Sequence, residues 1–562
     1  MTVPNFPLRR GPLLLVFLIF AVFWFGSLDY RRLIDPDEGR YAEIPREMVV
    51  SGDWLTPRLN DLKYFEKPPL QYWATAIAYT LFGEHHWTAR LWSALTGFMG
   101  ILFTIFAVAR LFNPATGWIA GAVIASSLLW NLIGHVNTLD MGVSAFLAAA
   151  IFALCLAQRD DATPLESRRW QDGAWVLLAL ATLSKGLIGI VLPAATVVLY
   201  ALWQHDLNLV SRIRPWRGLV ILLLITAPWF IVVSFVNPEF ANFFFIHEHL
   251  QRFLTKVHHR YEPMWYFIPI LLIGMLPWLG SLLPGIKAGF GEDASKRFQP
   301  QRFLLVWVVL VFVFFSISDS KLPSYILPLF PALATLVALH LNSPVTAPRR
   351  IGDALFAGGI GLVGLCFVPL VSHRADTLEM EAIYRLYQPW LYAAAALFAV
   401  GGVAAFFLAR KHSLAAIGAL AAASFCSGQA IILGHDAFGV VNSAHDVALA
   451  VRAQVPPGVP FYSVNTYDQS FQFYLQRTTT MVDYKDELGF GIRQEPQKFI
   501  PDIASFAIVW RQTPVAWALM PPDTWAHLKA QGLPMVEVAR DLRRVIVRKD
   551  VSSSPRLEGA KP

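Results

Sequence analysis

The chain reads as an α-helical polytopic membrane protein that ends in a soluble α/β domain. Three observations predict this. Apolar runs of roughly 20 residues, the length that crosses a bilayer as a helix, recur through the first three quarters of the sequence. Hydrophobic residues make up 55% of the 562 positions and charged residues only 15%, where soluble domains carry about 25%. The charge deficit stops near residue 435, beyond which short apolar runs alternate with polar turns. The division predicted is a transmembrane domain over 1–434, with an outer loop at 29–88, and a water-exposed α/β domain over 435–562.

The first span is Gly11 to Leu28, after Arg9 and Arg10. No small-x-small cleavage site follows it, so it reads as an uncleaved helix with its N-terminus in the cytoplasm. Further spans are expected near 89–112, 116–134, 141–157, 173–184, 187–204, 218–236, 265–285, 303–318, 323–341, 352–372, 390–409 and 413–434. That makes about thirteen. Positive charge supports the count. Arg110, then Arg159, Arg168 and Arg169, then Arg212, Arg214 and Arg217 fall in alternate loops. Lys287, Lys296, Arg297 and Arg302, then Arg349 and Arg350, then Arg410 and Lys411 continue the series. Basic loops stay in the cytoplasm, which puts the C-terminal domain outside. Long outer segments are expected at 29–88, 236–264 and 373–389.

Pro69 to Phe82 is apolar but short for a span. It is expected to lie in the membrane interface, with Tyr72 and Trp73 at headgroup depth. In the tail, strands are expected at Phe461–Val464, Met481–Val482, Phe506–Trp510, Met535–Val538 and Val545–Val547, with helices at Asn442–Gln454 and Thr524–Gln531. The tail has no glycine-rich phosphate loop. The net charge of +7 sits largely in membrane loops, which gives no reason to expect a nucleic-acid partner. Cys155, Cys366 and Cys426 all fall in apolar runs, so neither a disulfide framework nor a thiolate metal site is expected.

Chemistry-bearing residues gather at the expected outer face. The first outer loop reads Asp35-Pro36-Asp37-Glu38-Gly39-Arg40-Tyr41-Ala42-Glu43. Asp35 as helix N-cap, Pro36 as first helical residue and Glu38 as the returning partner of a capping box account for three of these. Asp37 is left over beside a membrane surface. The loop ends Glu66-Lys67-Pro68-Pro69, a pair stiffened by two prolines or a simple surface ion pair. Asp140 stands at the outer end of a span, where an unpaired acid is costly. Lys67, Lys185 and Lys321 stand at outer span ends, against the positive-inside rule. Each could snorkel; together they suit an anionic headgroup or lipid phosphate. His247-Glu248-His249 and His258-His259 do not have standard zinc spacing. They are either solvated loop histidines or, through His247 with Glu66, half of a divalent metal site.

Asp37-Glu38-Gly39-Arg40-Tyr41-Ala42-Glu43, Gly52-Asp53-Trp54-Leu55-Thr56-Pro57, Phe65-Glu66-Lys67-Pro68-Pro69-Leu70 and Arg90-Leu91-Trp92-Ser93-Ala94-Leu95 resemble a C-type (GT-C) glycosyltransferase family. So does Ser320-Lys321-Leu322-Pro323-Ser324-Tyr325-Ile326-Leu327-Pro328. The family is the lipid A 4-amino-4-deoxy-L-arabinose transferases, within the protein O-mannosyltransferase-like superfamily. The resemblance implies an inverting enzyme of the bacterial inner membrane. Its donor would be a sugar on undecaprenyl phosphate and its acceptor a lipid A phosphate on the outer face, with resistance to polymyxin and other cationic peptides as the outcome. It implies catalytic roles for Asp37, Asp140 and Glu66, donor-phosphate binding by Lys67, Lys185, Lys321 and Tyr325, and no required cofactor. Asp37, Glu66, Lys67 and Asp140 are expected to converge on one outer cavity, with the tail as cover and no catalytic residue in it. A mannosyltransferase-like relative with a protein or glycan acceptor, and a transporter, are the other readings.

Overall fold

A computed structural model describes residues 10–251, 262–343, 347–409 and 413–549. His258, His259, Arg260 and Tyr261, like Arg9, Arg410 and Lys411, lie outside these. The chain forms two compact units. One holds the residues up to Arg31 with His85–His435, the other Arg32–Glu84 with Asp436 onward.

The first unit is helical. Among the described residues, eight helices have the length and apolarity to cross a membrane, or nine if the bent pair Phe267–Gly274 and Leu279–Ala288 is one span. Shorter apolar helices occur at Leu15–Phe25, Pro114–Ser126 and Ile188–Trp203. Several expected spans differ in form. The one expected at 265–285 bends by 106° between its two halves. Pro277 lies in the break, where it lacks the N–H a continuing helix needs. Asp353 then caps the second half, accepting the Ser281 N–H at 2.8 Å. The span expected at 116–134 is two helices, Pro114–Ser126 and Leu128–Ile133, parted by an extended Ser127. The span expected at 173–184 is the end of a longer helix, Pro164–Lys185, whose first half carries Arg168, Arg169 and Asp172. It is parted from Ile188–Trp203 by Gly186 at φ 87°, a conformation glycine adopts without strain. The outer segment expected at 373–389 is mostly helix, part of Leu378–Ala409.

Small residues let these helices approach closely, as in membranes generally. A Cβ at Gly402 would lie 2.3 Å from the Gly358 backbone nitrogen on the neighbouring helix. The cysteines are free, with Cys155 buried but Cys366 on an exposed helix face.

The second unit is an α/β fold joined by the loop that follows the first span. Its strands are β1 (Arg58–Leu59), β2 (Leu62–Lys63), β3 (Phe461–Val464), β4 (Thr480–Val482), β5 (Phe499–Ile500), β6 (Trp517–Met520), β7 (Met535–Arg540) and β8 (Val545–Lys549). β1 and β2 make a hairpin; the others form one sheet in the order β5-β4-β3-β6-β8-β7. Pairing is parallel from β5 to β6 and antiparallel from β6 through β8 to β7. Phe506–Trp510, expected as a strand, belongs to the helix Ile503–Gln512. Asp502 caps that helix by accepting the Ser505 N–H at 2.7 Å. Phe506 and Trp510, four residues apart, are buried while Ile508 is exposed, the pattern of one helix face. A short apolar run reads as either element. The strand in the sheet is β6.

Residues 32–84 pack with the tail in one compact unit. The reason is polar contact at short range. Asn60 receives the Thr479 N–H at 2.7 Å and donates to Thr479 O at 2.8 Å. Arg58 bonds Glu495 at 3.1 Å. The apolar segment Leu70–Phe82 is a helix. Tyr72 is fully buried there, rather than at headgroup depth, and it is Ile77, Leu81 and Phe82 that are exposed.

Glu47, on the helix Asp37–Ser51, accepts the backbone N–H groups of Asn60 and Asp61. Burial, then the charge of Glu43, push its carboxyl up from 4.5 to about 8. A raised folded value stabilises fully below the unfolded one and is lost as pH climbs through the folded one. The melting temperature of the detergent-solubilised protein therefore falls as pH rises from 4.5 to about 8. Glu47→Gln flattens that slope; an unchanged slope contradicts the assignment.

Candidate functional site

In the helical unit, polar groups meet where Leu139–Ala157 begins. Thr138 is its N-cap, and Asp140 sits in the first turn, where the helix dipole favours an acid. Asp140 is buried yet partnered. Lys185, last residue of its helix, forms an ion pair with it. The Ser324 hydroxyl donates to Asp140 Oδ2 at 2.6 Å. The ammonium of Lys185 also lies over the Tyr325 ring, 4.5 Å from the centroid. Asp140, Lys185 and Tyr325 are thus brought together, with Ser324 as a member the sequence reading missed. Lys321 is buried and donates to the carbonyls of Ser318 at 2.6 Å and Glu262 at 2.9 Å.

In the α/β unit the second cluster forms on the helix Asp37–Ser51. The expected capping box is absent. Pro36 is the N-cap, and Asp37 opens the helix. Spacing of three puts Arg40 over Asp37 at 3.2 Å, and the other arm of the guanidinium meets Glu487 of the tail at 2.5 Å. Arg40 lies 5.7 Å from the Tyr41 ring centroid, and the Tyr41 and Tyr72 rings are 6.2 Å apart.

Charge surrounds these phenols. Burial first, then Glu66, raise the Tyr72 hydroxyl, and Asp37, Arg40 and Glu487 act on the same group. Tyr64 likewise feels burial first, then Arg40, Glu66 and Glu487. Asp37 and Glu66 therefore belong to one cluster. Lys67 stays beside Glu66 at 3.8 Å. Burial pushes Glu487 up to about 7 despite its arginine partner.

Asp37 is 41% exposed while Arg40 is 10% exposed, so the acid faces out of a mostly buried cluster. The buried hydroxyls of Tyr64 and Tyr72 and Nε of Arg40 find no hydrogen-bond partner among the described residues. Buried polar atoms are seldom left so, and three at one place suit a polar ligand. Sequence reasoning missed Arg40, Tyr41, Tyr64, Tyr72 and Glu487. The i, i+3 spacing from Asp37 was the signal for Arg40. Glu487 gave none. Glu66 and His247 fall in different units, and His247 Nδ1 lies 3.4 Å from Glu248. No group of three His, Cys, Asp or Glu able to hold a metal exists among the described residues.

The helical unit with its membrane-length spans and the α/β unit have the GT-C fold of a glycosyltransferase that uses a lipid-linked donor, as the chain's relatives show. Residues 66–232 match the family model for dolichyl-phosphate-mannose-protein mannosyltransferase. Residues 447–549 match that for the aminoarabinose transferase C-terminal domain. Over 378 residues the chain is 34% identical to the undecaprenyl phosphate-alpha-4-amino-4-deoxy-L-arabinose arabinosyl transferase of Shewanella sediminis (strain HAW-EB3), covering 66% of this chain and 68% of the relative. It is 33% identical to transferase 2 of that name from Proteus mirabilis (strain HI4320), over 75% of this chain and 76% of the relative. The crystal structure of ArnT from Cupriavidus metallidurans bound to undecaprenyl phosphate matches with a TM-score of 0.92 at 37% identity, covering 98% of this chain and all of that one. The chain belongs to the undecaprenyl phosphate-4-amino-4-deoxy-L-arabinose arabinosyl transferase family.

Removing one partner of a buried ion pair such as Lys185–Asp140 costs up to about 3–5 kcal/mol. Lys185→Met alone therefore destabilises the protein strongly. Asp140→Asn with Lys185→Met recovers most of the loss. Thermal unfolding in detergent reads both, and equal losses in the single and double variants refute the coupling.

Proposed function

We propose that this protein transfers 4-amino-4-deoxy-L-arabinose from undecaprenyl phosphate to a lipid A phosphate at the periplasmic face of the bacterial inner membrane. Masking lipid A charge in this way would lower affinity for polymyxin and other cationic peptides. The observation that carries the reading is the full-length match to a transferase structure bound to undecaprenyl phosphate. In this reading the N-terminus is cytoplasmic, the α/β unit is periplasmic, and the exposed Ile77, Leu81 and Phe82 face of its apolar helix rests at the membrane surface.

The reaction is a single displacement with inversion. The acceptor phosphate oxygen attacks the anomeric carbon as the bond to the donor phosphate breaks, and undecaprenyl phosphate leaves. That leaving group is already a stable anion, so no strong general acid is needed. Lys185 and Lys321, with Tyr325, stabilise its charge. A lipid A phosphate is ionised at neutral pH, so Asp37 is assigned to orienting the acceptor and offsetting oxocarbenium-like charge rather than to removing a proton. Glu66 supports Asp37. Asp140, held against Lys185 and Ser324, sets the lysine that meets the donor phosphate. No step is routed through a divalent metal at Glu66 and His247.

Purified protein given the lipid-linked donor and lipid A is expected to form glycosylated lipid A with inverted anomeric configuration by NMR, and to do so in the presence of EDTA. Retained configuration sinks the single displacement, and loss of turnover on chelation sinks the metal-free route. Transfer only to a protein or glycan acceptor favours the mannosyltransferase-like reading. Asp37→Asn should slow transfer at least about tenfold, roughly 1.4 kcal/mol; a normal rate removes Asp37 from the mechanism.

A further inference from the structure

Asp35 does not cap its helix. Its carboxylate Oδ1 instead accepts the Ser470 N–H at 2.8 Å, and its own N–H donates to Asn442 O at 2.8 Å. Arg544, from the turn before β8, reaches the same place. Its Nη2 lies 3.3 Å from Asp35 Oδ2 and its Nε 2.5 Å from Asp468 Oδ2. Its Nη1 meets Asp541 at 2.9 Å and donates to Val441 O at 3.1 Å. The guanidinium is 4% exposed. Burial, with the charge of Asp468 beside it, drives the Asp35 carboxyl well above its usual range. Asp468 also fixes the 468–470 turn by accepting the Ser470 and Phe471 N–H groups at 3.1 Å.

A second observation is independent of charge. A Cβ at Gly39 would lie 2.5 Å from the Ser470 nitrogen and 2.6 Å from the Gln469 carbonyl carbon. Both are backbone atoms that cannot swing aside. Glycine is thus required on this helix so that it can rest on the 468–470 turn. Asp35 and Gly39 stand two residues before and two after Asp37, and both are fastened to that turn.

We infer that Arg544 and the 468–470 turn it anchors are positioning elements for Asp37: the tail holds the acid-bearing loop from both sides, through the Asp35–Arg544–Asp468 knot and the Gly39 contact. This rests on the role proposed for Asp37. The tail is then part of the catalytic apparatus and not only a cover. A shift of about 1 Å in a group set for reaction can cost on the order of a hundredfold in rate.

The test is steady-state transfer from the lipid-linked donor to lipid A by the full-length protein. The variants are Arg544→Lys, which keeps charge but loses the planar fork, and Gly39→Ala, each alone and combined with Asp37→Asn. Each single variant is expected to lower kcat roughly ten- to a hundredfold with donor KM within about twofold. In the Asp37→Asn background the same changes should cost little more, because residues acting as a unit are non-additive. Losses that multiply fully in the double variants, or unchanged kcat in both singles while Asp37→Asn is slow, overturn the inference and leave the proposed function standing. A normal rate for Asp37→Asn overturns the inference and removes Asp37 from the mechanism, while the transfer itself stands. Should Arg544→Lys fail to give a monodisperse peak on size-exclusion chromatography, Gly39→Ala decides by the same comparison.

Discussion

A charge removed from water must be met by another charge or by hydrogen bonds, because the desolvation cost is several kcal/mol per ion. Most of this structure's polar architecture follows from that constraint. Asp140 is bearable inside the helical unit because Lys185 and Ser324 both reach it. Asp353, buried near the start of a span, is bearable because the broken helix after Pro277 offers it the free N–H of Ser281. In the α/β unit, Glu43 is matched by Arg46 through two bonds of 2.6 Å, and Arg544 gathers three aspartates. Pairing makes each of these groups a fixed element of geometry.

That constraint separates structural from functional polar groups. Glu43 and Arg46 satisfy each other. Around Asp37 satisfaction is incomplete: two buried phenols and one guanidinium nitrogen are unmatched among the described residues, and the carboxylate is partly open. An anionic or sugar-bearing ligand supplies what such a cluster lacks. The lysines of the helical unit meet the same logic from the other side, since Lys185 balances Asp140 while remaining 18% exposed.

Helix identity in the membrane part was legible from apolar length, because a bilayer imposes that length directly. Helix continuity was not. The break at Ser127, where the hydroxyl turns back to the Val123 carbonyl, and the break at Pro277, where the backbone N–H is missing, both fall inside apolar runs whose length alone does not register them. In the tail, alternating runs revealed β3, β4, β7 and β8, whereas Phe506–Trp510 misled because five apolar residues carry no decisive period. Asp37, Glu66, Lys67, Asp140, Lys185, Lys321, Tyr325 and His247 could be singled out as charges or rings at expected loop ends. Arg40 and Glu487 could not be paired by inspection, being 447 positions apart by their numbering. Asp35 was misread because the capping-box pattern accounts for its type so well. Its real partners, Ser470 and Arg544, come from a part of the chain that no local rule connects to it.

Lipid A should be isolated from bacteria that make the lipid-linked aminoarabinose donor but lack their own transferase, with and without this protein expressed, and compared by mass spectrometry. The protein is expected to add aminoarabinose to lipid A phosphate. Unmodified lipid A despite confirmed membrane expression and donor supply, or a sugar appearing on another acceptor, would contradict it.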